Sequence, residues 1–272
     1  MQGIFPRRVS RPIGCGLIVL LQALSLVMPT LRTLASSLVT DRPWMDTALT
    51  PDQRADQLIA QMTLDEKIAL LHGVAGSYIG YVPANTRLGI PALNLEDGPA
   101  GVADSMRGVT AFPAPVAGAA SWDTALMHQY GQALGGEEAG KGANVVLGPT
   151  VNILRVPQWG RSFESFGEDP YLSGQLAAAD VQGIQSQGVI ATVKHYAANN
   201  QEDNRGGVSA NVDERTLHEI YLPAFQAAVQ QGGAGAVMCS YNLVNTIYAC
   251  ENPFLLNQTL DQQTKERKGI RA

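Results

Sequence analysis

The 272-residue chain is short of charge, of cysteine and of long apolar runs. Charged residues make up 16% of it, against roughly 25% in an average soluble domain. That shortage fits a large core built on buried parallel strands. The net charge is −5, so nothing in the balance supports a nucleic-acid partner. Only three cysteines are present, and neither Cys239 nor Cys250 has a histidine at metal-ligand spacing, so no metal and no cofactor is expected. An oxidising compartment permits a disulfide between those two. The apolar run around Cys239 favours instead a free thiol acting as a small hydrophobe.

The apolar run Leu17 to Val27 has 11 residues, well below the roughly 20 that span a bilayer. Arg7, Arg8 and Arg11 precede it and Thr33-Leu34-Ala35 follows, which is the layout of a secretory leader cleaved before Ser36. Cys15 lies before the run, which argues against a lipoprotein signal. The expectation is residues 1–35 as signal peptide, a periplasmic or secreted product, and no stable membrane anchor after cleavage.

From residue 36 onward the chain alternates helical and strand patterns without a long linker. Thr50-Pro51 opens a helix, Thr63 with Glu66 forms a capping box for another that stops at Gly73, and Ser121 caps one reaching about Leu134. Helices are also expected over 171–185 and 213–231. Short apolar runs at Ala92 to Leu95, Val145 to Leu147, Val189 to Val193 and Ala236 to Ser240 read as strands. Strands separated by helices imply right-handed crossovers and a parallel sheet. Polar groups cluster just past several strand ends, which favours a TIM-like (β/α)8 barrel over an open sheet.

Two segments carry most of the chemistry. Gly160-Arg161-Ser162-Phe163-Glu164-Ser165-Phe166-Gly167-Glu168-Asp169-Pro170 precedes a helical run, and a β-branched strand then ends at Lys194-His195-Tyr196. The 33-residue interval from Arg161 to Lys194, together with Asp97-Gly98-Pro99-Ala100-Gly101, Ser240-Tyr241-Asn242 and Asn252-Pro253-Phe254-Leu255, resembles glycoside hydrolase family 3, in the branch that contains β-glucosidases. The likeness runs from about Asp41 to about Leu260. It implies that Asp97 binds hydroxyls of a non-reducing sugar, that Arg161, Lys194 and His195 line the same subsite, and that Arg205 and Tyr241 approach the catalytic carboxylate. The implied substrate is a β-glucoside or oligosaccharide. Residue types agree, because carboxylates accept hydrogen bonds from sugar hydroxyls and cationic groups donate them. Each has a plainer alternative: Asp97 as a turn former before Gly-Pro, Arg161 as a partner of Glu164 or Glu168, Arg205 as a solvated loop charge. Those two glutamates read as salt-bridged scaffolding, and Glu202 and Asp203 as orienters of Arg205. Trp122 and Trp159 are both candidates to stack on a sugar face; Trp122 reads rather as core, and Trp159 is left open.

What is missing matters as much. A retaining glycosidase needs a nucleophile and an acid/base carboxyl group roughly 5 Å apart. In the family the nucleophile is an Asp in a Gly-Phe-x-Gly-x-Val-x-Ser-Asp motif further along, and the acid/base Glu lies in a second domain. Asp261 to Ala272 contains no Ser-Asp and no apolar run fit for a buried strand. Both groups are therefore expected beyond Ala272, with residues 36–272 an incomplete barrel of about six strands and the isolated chain inactive. The alternative is a non-catalytic sugar-binding pseudoenzyme module. Ala103, where many members carry Arg, and Thr246, where Gly is usual, depart from the pattern. Tyr196-Ala197-Ala198-Asn199-Asn200-Gln201-Glu202 matches the glucosidase branch better than the hexosaminidase or xylosidase ones.

Overall fold

A computed structural model describes residues 42–104 and 106–260. The leader expected over 1–35 and the charged tail from Asp261 lie outside the described residues. The chain divides into two compact units, one ending at Gln61 and the other starting at Met62. In the first, helix α1 (Pro51–Gln61) starts on a reciprocal cap: the Thr50 amide donates to Gln53 Oε1 at 2.9 Å and the Gln53 amide to Thr50 Oγ1 at 3.2 Å. Arg54 Nε reaches back to the carbonyl of the buried Trp44 at 2.6 Å.

The second unit opens with α2 (Leu64–Ala69), whose Thr63/Glu66 capping box is present as expected; the helix ends at Ala69, before Gly73. Strands β1 (Gly80–Val82), β2 (Leu93–Asp97), β3 (Val145–Leu147), β4 (Ile190–Tyr196) and β6 (Ala236–Cys239) form a curled sheet in the order β1-β2-β3-β4-β6. β1 runs antiparallel to β2, and every other neighbouring pair is parallel. The sheet is the expected α/β architecture, half of a TIM-like barrel, with five strands among the described residues. Strands β5 (Ser209–Ala210), β7 (Leu243–Val244) and β8 (Ile247–Tyr248) make a small sheet of their own. Among the described residues no helix is long and apolar enough to cross a membrane.

Helix α4 (Thr124–Gly140), preceded by the short α3 (Pro115–Ala119), is capped by Asp123 and not by Ser121. Asp123 Oδ1 accepts from the Ala125 and Leu126 amides at 2.8 and 3.1 Å, while Ser121 Oγ donates to the Gly118 carbonyl at 2.6 Å and accepts from the Asp123 amide at 3.2 Å, one residue before the helix begins. Trp122, expected in the core, is 77% exposed, because its φ of 59° turns the side chain outward at the α3–α4 junction. Helix α5 (Pro170–Gln185) starts at Pro170 under an Asp169 cap. The expected 213–231 helix is interrupted. A turn at Glu214–Thr216 widens over Leu217–Tyr221, with the Leu222 amide bonded to the Leu217 carbonyl at 2.9 Å, before α6 (Pro223–Gln230) begins. Pro223 has no N–H to continue the ladder, so the break falls on it.

Apolar side chains of β3 and β4 pack under α5 and α6, with Val146, Val193, Leu176, Ile184 and Phe225 all buried. Helices α4 and α5 approach until a Cβ on Gly131 would stand 2.3 Å from the Asp180 carbonyl oxygen, and one on Gly183 would stand 2.2 Å from that of His128. Neither obstacle is a flexible side-chain tip. Gly131→Ala is therefore expected to cost at least about 1–3 kcal/mol by overpacking, read as a lower urea midpoint with an unchanged slope. A surface helix substitution such as Gly140→Ala, with nothing within 4 Å of its new Cβ, serves as the control.

Cys239 is not the free thiol its apolar run suggested: it is bonded to Cys250 across 5.2 Å between Cα atoms. The β7–β8 hairpin folds the chain back and brings together residues 11 apart in sequence. Sequence periodicity cannot register such a return.

Candidate functional site

Because β2, β3 and β4 lie in parallel register, with Asp97 opposite Leu147 and Val146 opposite Ala191, their carboxyl ends open on one side of the sheet. Asp97 ends β2, and Lys194 and His195 come near the end of β4. Lys194 is 2% exposed at its side chain, and its Nζ donates to Asp97 Oδ1. A buried ammonium of this kind is tolerable only with an opposite charge in hydrogen-bonding contact. The backbone is tied down as well, with the Lys194 amide bonded to the Pro149 carbonyl at 2.9 Å and its carbonyl accepting from the Val151 amide at 2.8 Å. Cis peptide bonds join Lys194 to His195 and Tyr196 to Ala197.

His195 is held by Asn152, whose Oδ1 accepts from the His195 amide at 2.9 Å and lies 3.1 Å from Nδ1, while its Nδ2 donates to the His195 carbonyl at 2.9 Å. On the other edge of the ring, Nε2 faces Arg161 Nη1 at 3.0 Å. A guanidinium only donates, so Nε2 accepts and Nδ1 carries the proton toward Asn152. Burial first, then the charges of Arg161, Lys194 and Arg205, depress the imidazole from 6.5 to about 2. His195 is thus a neutral, fixed ring. Arg161 also pairs through Nε with Glu164, whose other oxygen accepts from Thr150 Oγ1 at 3.0 Å. Glu164 is buried scaffolding, as the sequence suggested, whereas Glu168 is exposed.

A recess of about 520 Å³ opens over this network, lined by Asp97, Gly98, Pro99, Arg161, Phe163 and Glu164 among others. The structure therefore joins Asp97, Lys194, His195 and Arg161 into one connected set. Arg205 and Tyr241 form a neighbouring pair that does not line the recess: the guanidinium carbon lies 5.2 Å from the Tyr241 ring centroid, and Nη1 bonds Glu202 Oε2 at 2.8 Å. Glu202 orients Arg205 as anticipated. Its other oxygen accepts from Trp159 Nε1 at 3.3 Å, which gives the buried Trp159 a structural partner.

Sequence reasoning missed four contributors. Phe163 stands inside the Gly160–Pro170 motif without a signal of its own, and Asn152 carries none beyond lying near that motif. Glu96 and Glu138, both fully buried, lie beneath the Asp97–Gly98 turn. Glu138 Oε1 would stand 2.7 Å from a Cβ placed on Gly98, and neither of its oxygens has a hydrogen-bond partner among the described residues. Burial first, and then the charges of Glu96, Asp97 and Glu137, push Glu138 up to about 8. Burial likewise raises Glu96.

Asp97 and Arg161 line an open recess, with the buried Lys194 ammonium bonded to the first and the neutral His195 ring set against the second, a set suited to adjacent hydroxyl groups. The profile described as "Glycosyl hydrolase family 3 N terminal domain" matches residues 68–269. A beta-glucosidase of Rhizobium radiobacter is 45% identical over 213 residues, covering 76% of this chain and 26% of the relative. Thermostable beta-glucosidase B of Acetivibrio thermocellus is 44% identical over 218 residues, or 76% and 28%. DesR, a beta-glucosidase from Streptomyces venezuelae solved in complex with D-glucose, superposes with a TM-score of 0.75 at 46% identity, over 78% of this chain and 27% of that one. Beta-glucosidase 3B from Thermotoga neapolitana, in complex with alpha-D-glucose, gives 0.74 at 37%, over 80% and 33%. The chain thus spans about a quarter to a third of the length of these proteins. A profile match over most of the sequence, relatives well above 30% identity and the same half-barrel sheet agree that the chain belongs to glycosyl hydrolase family 3, through that family's N-terminal domain.

Proposed function

We propose that the recess binds the non-reducing glucosyl unit of a β-glucoside, and that the chain is the sugar-recognising part of an exported β-glucosidase. The observation that carries this reading is the Lys194–Asp97 ion pair at the edge of the recess, with Arg161 lining it beside them. Asp97 accepts hydrogen bonds from a vicinal pair of hydroxyls, and Lys194 and Arg161 donate. Neutral His195 keeps Arg161 aimed without adding a third positive charge. The two solved relatives hold glucose, which supports glucose as the sugar. Arg205 and Tyr241 lie toward the reacting bond. The nucleophile and acid/base carboxyl groups of the covalent step are those the family places after Ala272, and without both nearly all acceleration is lost, since acid catalysis alone contributes about 10²- to 10⁴-fold.

Saturation-transfer NMR on the purified chain is expected to detect glucose, with the signal lost in Arg161→Ala. In parallel, a nitrophenyl β-glucoside is expected to release no nitrophenol above blank. No glucose signal would overturn the recognition role. Turnover by the chain alone, abolished by Asp97→Ala, would show that a nucleophile lies within residues 36–272.

A further inference from the structure

On the helical side of the sheet, away from the recess residues, two shallow grooves adjoin. One, of about 280 Å³, runs between α5 and α6 and includes Pro170, Tyr171, Gln175, Pro223, Gln226 and Gln231. The other, of about 290 Å³, lies between α4 and α5, is lined by Thr124, His128 and Gln182 among others, and shares Gln175 and Gln231 with the first. Those two amides bond to each other at 3.3 Å where the grooves meet, and Gln182 Nε2 donates to the Gln231 carbonyl at 2.9 Å. Among the described residues, neither groove is lined by an Asp, Glu, Lys or Arg. Two large rings stand in solvent on these helices: Tyr171, 75% exposed, lines the first groove, and Trp122, 77% exposed, precedes Thr124 of the second by two residues. Leu126, beside Ala125 of the second groove, is 45% exposed.

The geometry points to a surface site for an extended, neutral polysaccharide, a β-glucan chain, lying along the α4–α5–α6 face. A pyranose offers apolar C–H faces that stack on aromatic rings and hydroxyl pairs that match an amide's combined donor and acceptor. It carries no charge, and the grooves offer none to a nucleic acid, an anionic lipid or an acidic peptide. Two joined shallow grooves fit a chain lying across them, whereas a single sugar suits a closed recess. Trp122 is otherwise hard to account for, since its backbone adopts a left-handed conformation, with φ 59°, that presents the indole to water. The choice of glucan over other neutral polysaccharides rests on the proposed substrate of the recess, so the test separates the two sites.

Affinity electrophoresis of the full chain in gels containing soluble mixed-linkage β-glucan is expected to show retardation relative to gels without it. Tyr171→Ala is expected to weaken it about three- to tenfold, as the loss of one stacked ring does. Trp122→Asn, a residue that accepts the left-handed backbone, is expected to do the same. Asp97→Ala is expected to retain retardation, and excess free glucose, which fills the recess, is expected not to release the glucan. Unretarded wild-type chain, unchanged retardation in the Tyr171→Ala/Trp122→Asn double variant, or release by glucose would overturn the proposal. A glucan-free dimer seen by ultracentrifugation and abolished by Tyr171→Ala would also overturn it, assigning the face to a second copy of the chain.

Discussion

Asp97→Ala is expected to abolish glucose binding and to lower stability by about 3 kcal/mol, at the lower end of the roughly 3–5 kcal/mol seen when one partner of a buried ion pair is removed. The loss arises on the Lys194 side. Its side chain is 2% exposed and keeps its ammonium in the interior, whereas Asp97 is 35% exposed and can be hydrated when unpaired. Removing the carboxylate leaves a buried cation without its counter-charge, and burial without a partner is where the cost lies. The companion double variant Asp97→Ala/Lys194→Met separates folding from recognition. Replacing both charges by apolar groups of similar volume is often neutral for stability, so urea unfolding should return near wild type while glucose binding stays absent. If the double variant is as unstable as Asp97→Ala, the pair is not the source of the loss. If it binds glucose, Asp97 and Lys194 are not the recognition groups.

Much of this site was legible because it is local. The β-branched run ending at Lys194-His195 announced both a buried strand and its polar delivery end, and β3 falls on Val145–Leu147 as its apolar run implied. The Thr63/Glu66 box and the helix at Pro170 follow from the same short-range chemistry. The misreadings are where two local signals compete or where closure in space decides. Ser121 and Asp123 are both capping residues, and the serine hydroxyl accepts from the Asp123 amide, which leaves the first helical amides to the Asp123 carboxylate. Pro223 inside the 213–231 pattern was a readable warning of the break. Trp122 has a core-type side chain, but a left-handed backbone is invisible in composition. The Cys239–Cys250 bond needs the β7–β8 return. Asn152 meets His195 only because the segment after β3 pairs with the end of β4, as the Thr150–Lys194 bridge records.

Glu138 is the least legible of all, since Glu137-Glu138 reads as an ordinary polar helical pair, and it carries the largest expected dependence on pH. Glu138 and Asp180 are both buried and both pushed up to about 8, in each case chiefly by burial. In the unfolded chain they ionise at ordinary carboxylate values, so between about pH 4.5 and 8 the folded state holds protons that the unfolded state has released. Stability therefore falls as pH rises through that window, by about 1.4 kcal/mol per pH unit for each group, and levels off above it. His195 acts oppositely: neutral when folded and protonatable when unfolded, it makes stability rise with pH between about 2 and 6.5. Below 6.5 it offsets one of the acids, and from 6.5 to 8 both act unopposed. Glu138→Gln removes one proton from this balance, so between pH 5 and 7.5 it is expected to lose about 3 kcal/mol less stability than the wild type. Denaturant midpoints at the two pH values measure this, and an infrared carbonyl band of a protonated acid at pH 7 should weaken in the variant. Because Glu138 Oε1 abuts Gly98, its ionisation places a second negative charge under Asp97. Glucose binding is therefore expected to weaken above pH 8 in the wild type and to hold in Glu138→Gln. Identical pH profiles for the two proteins would show that Glu138 is ionised throughout and that its burial is relieved in some other way.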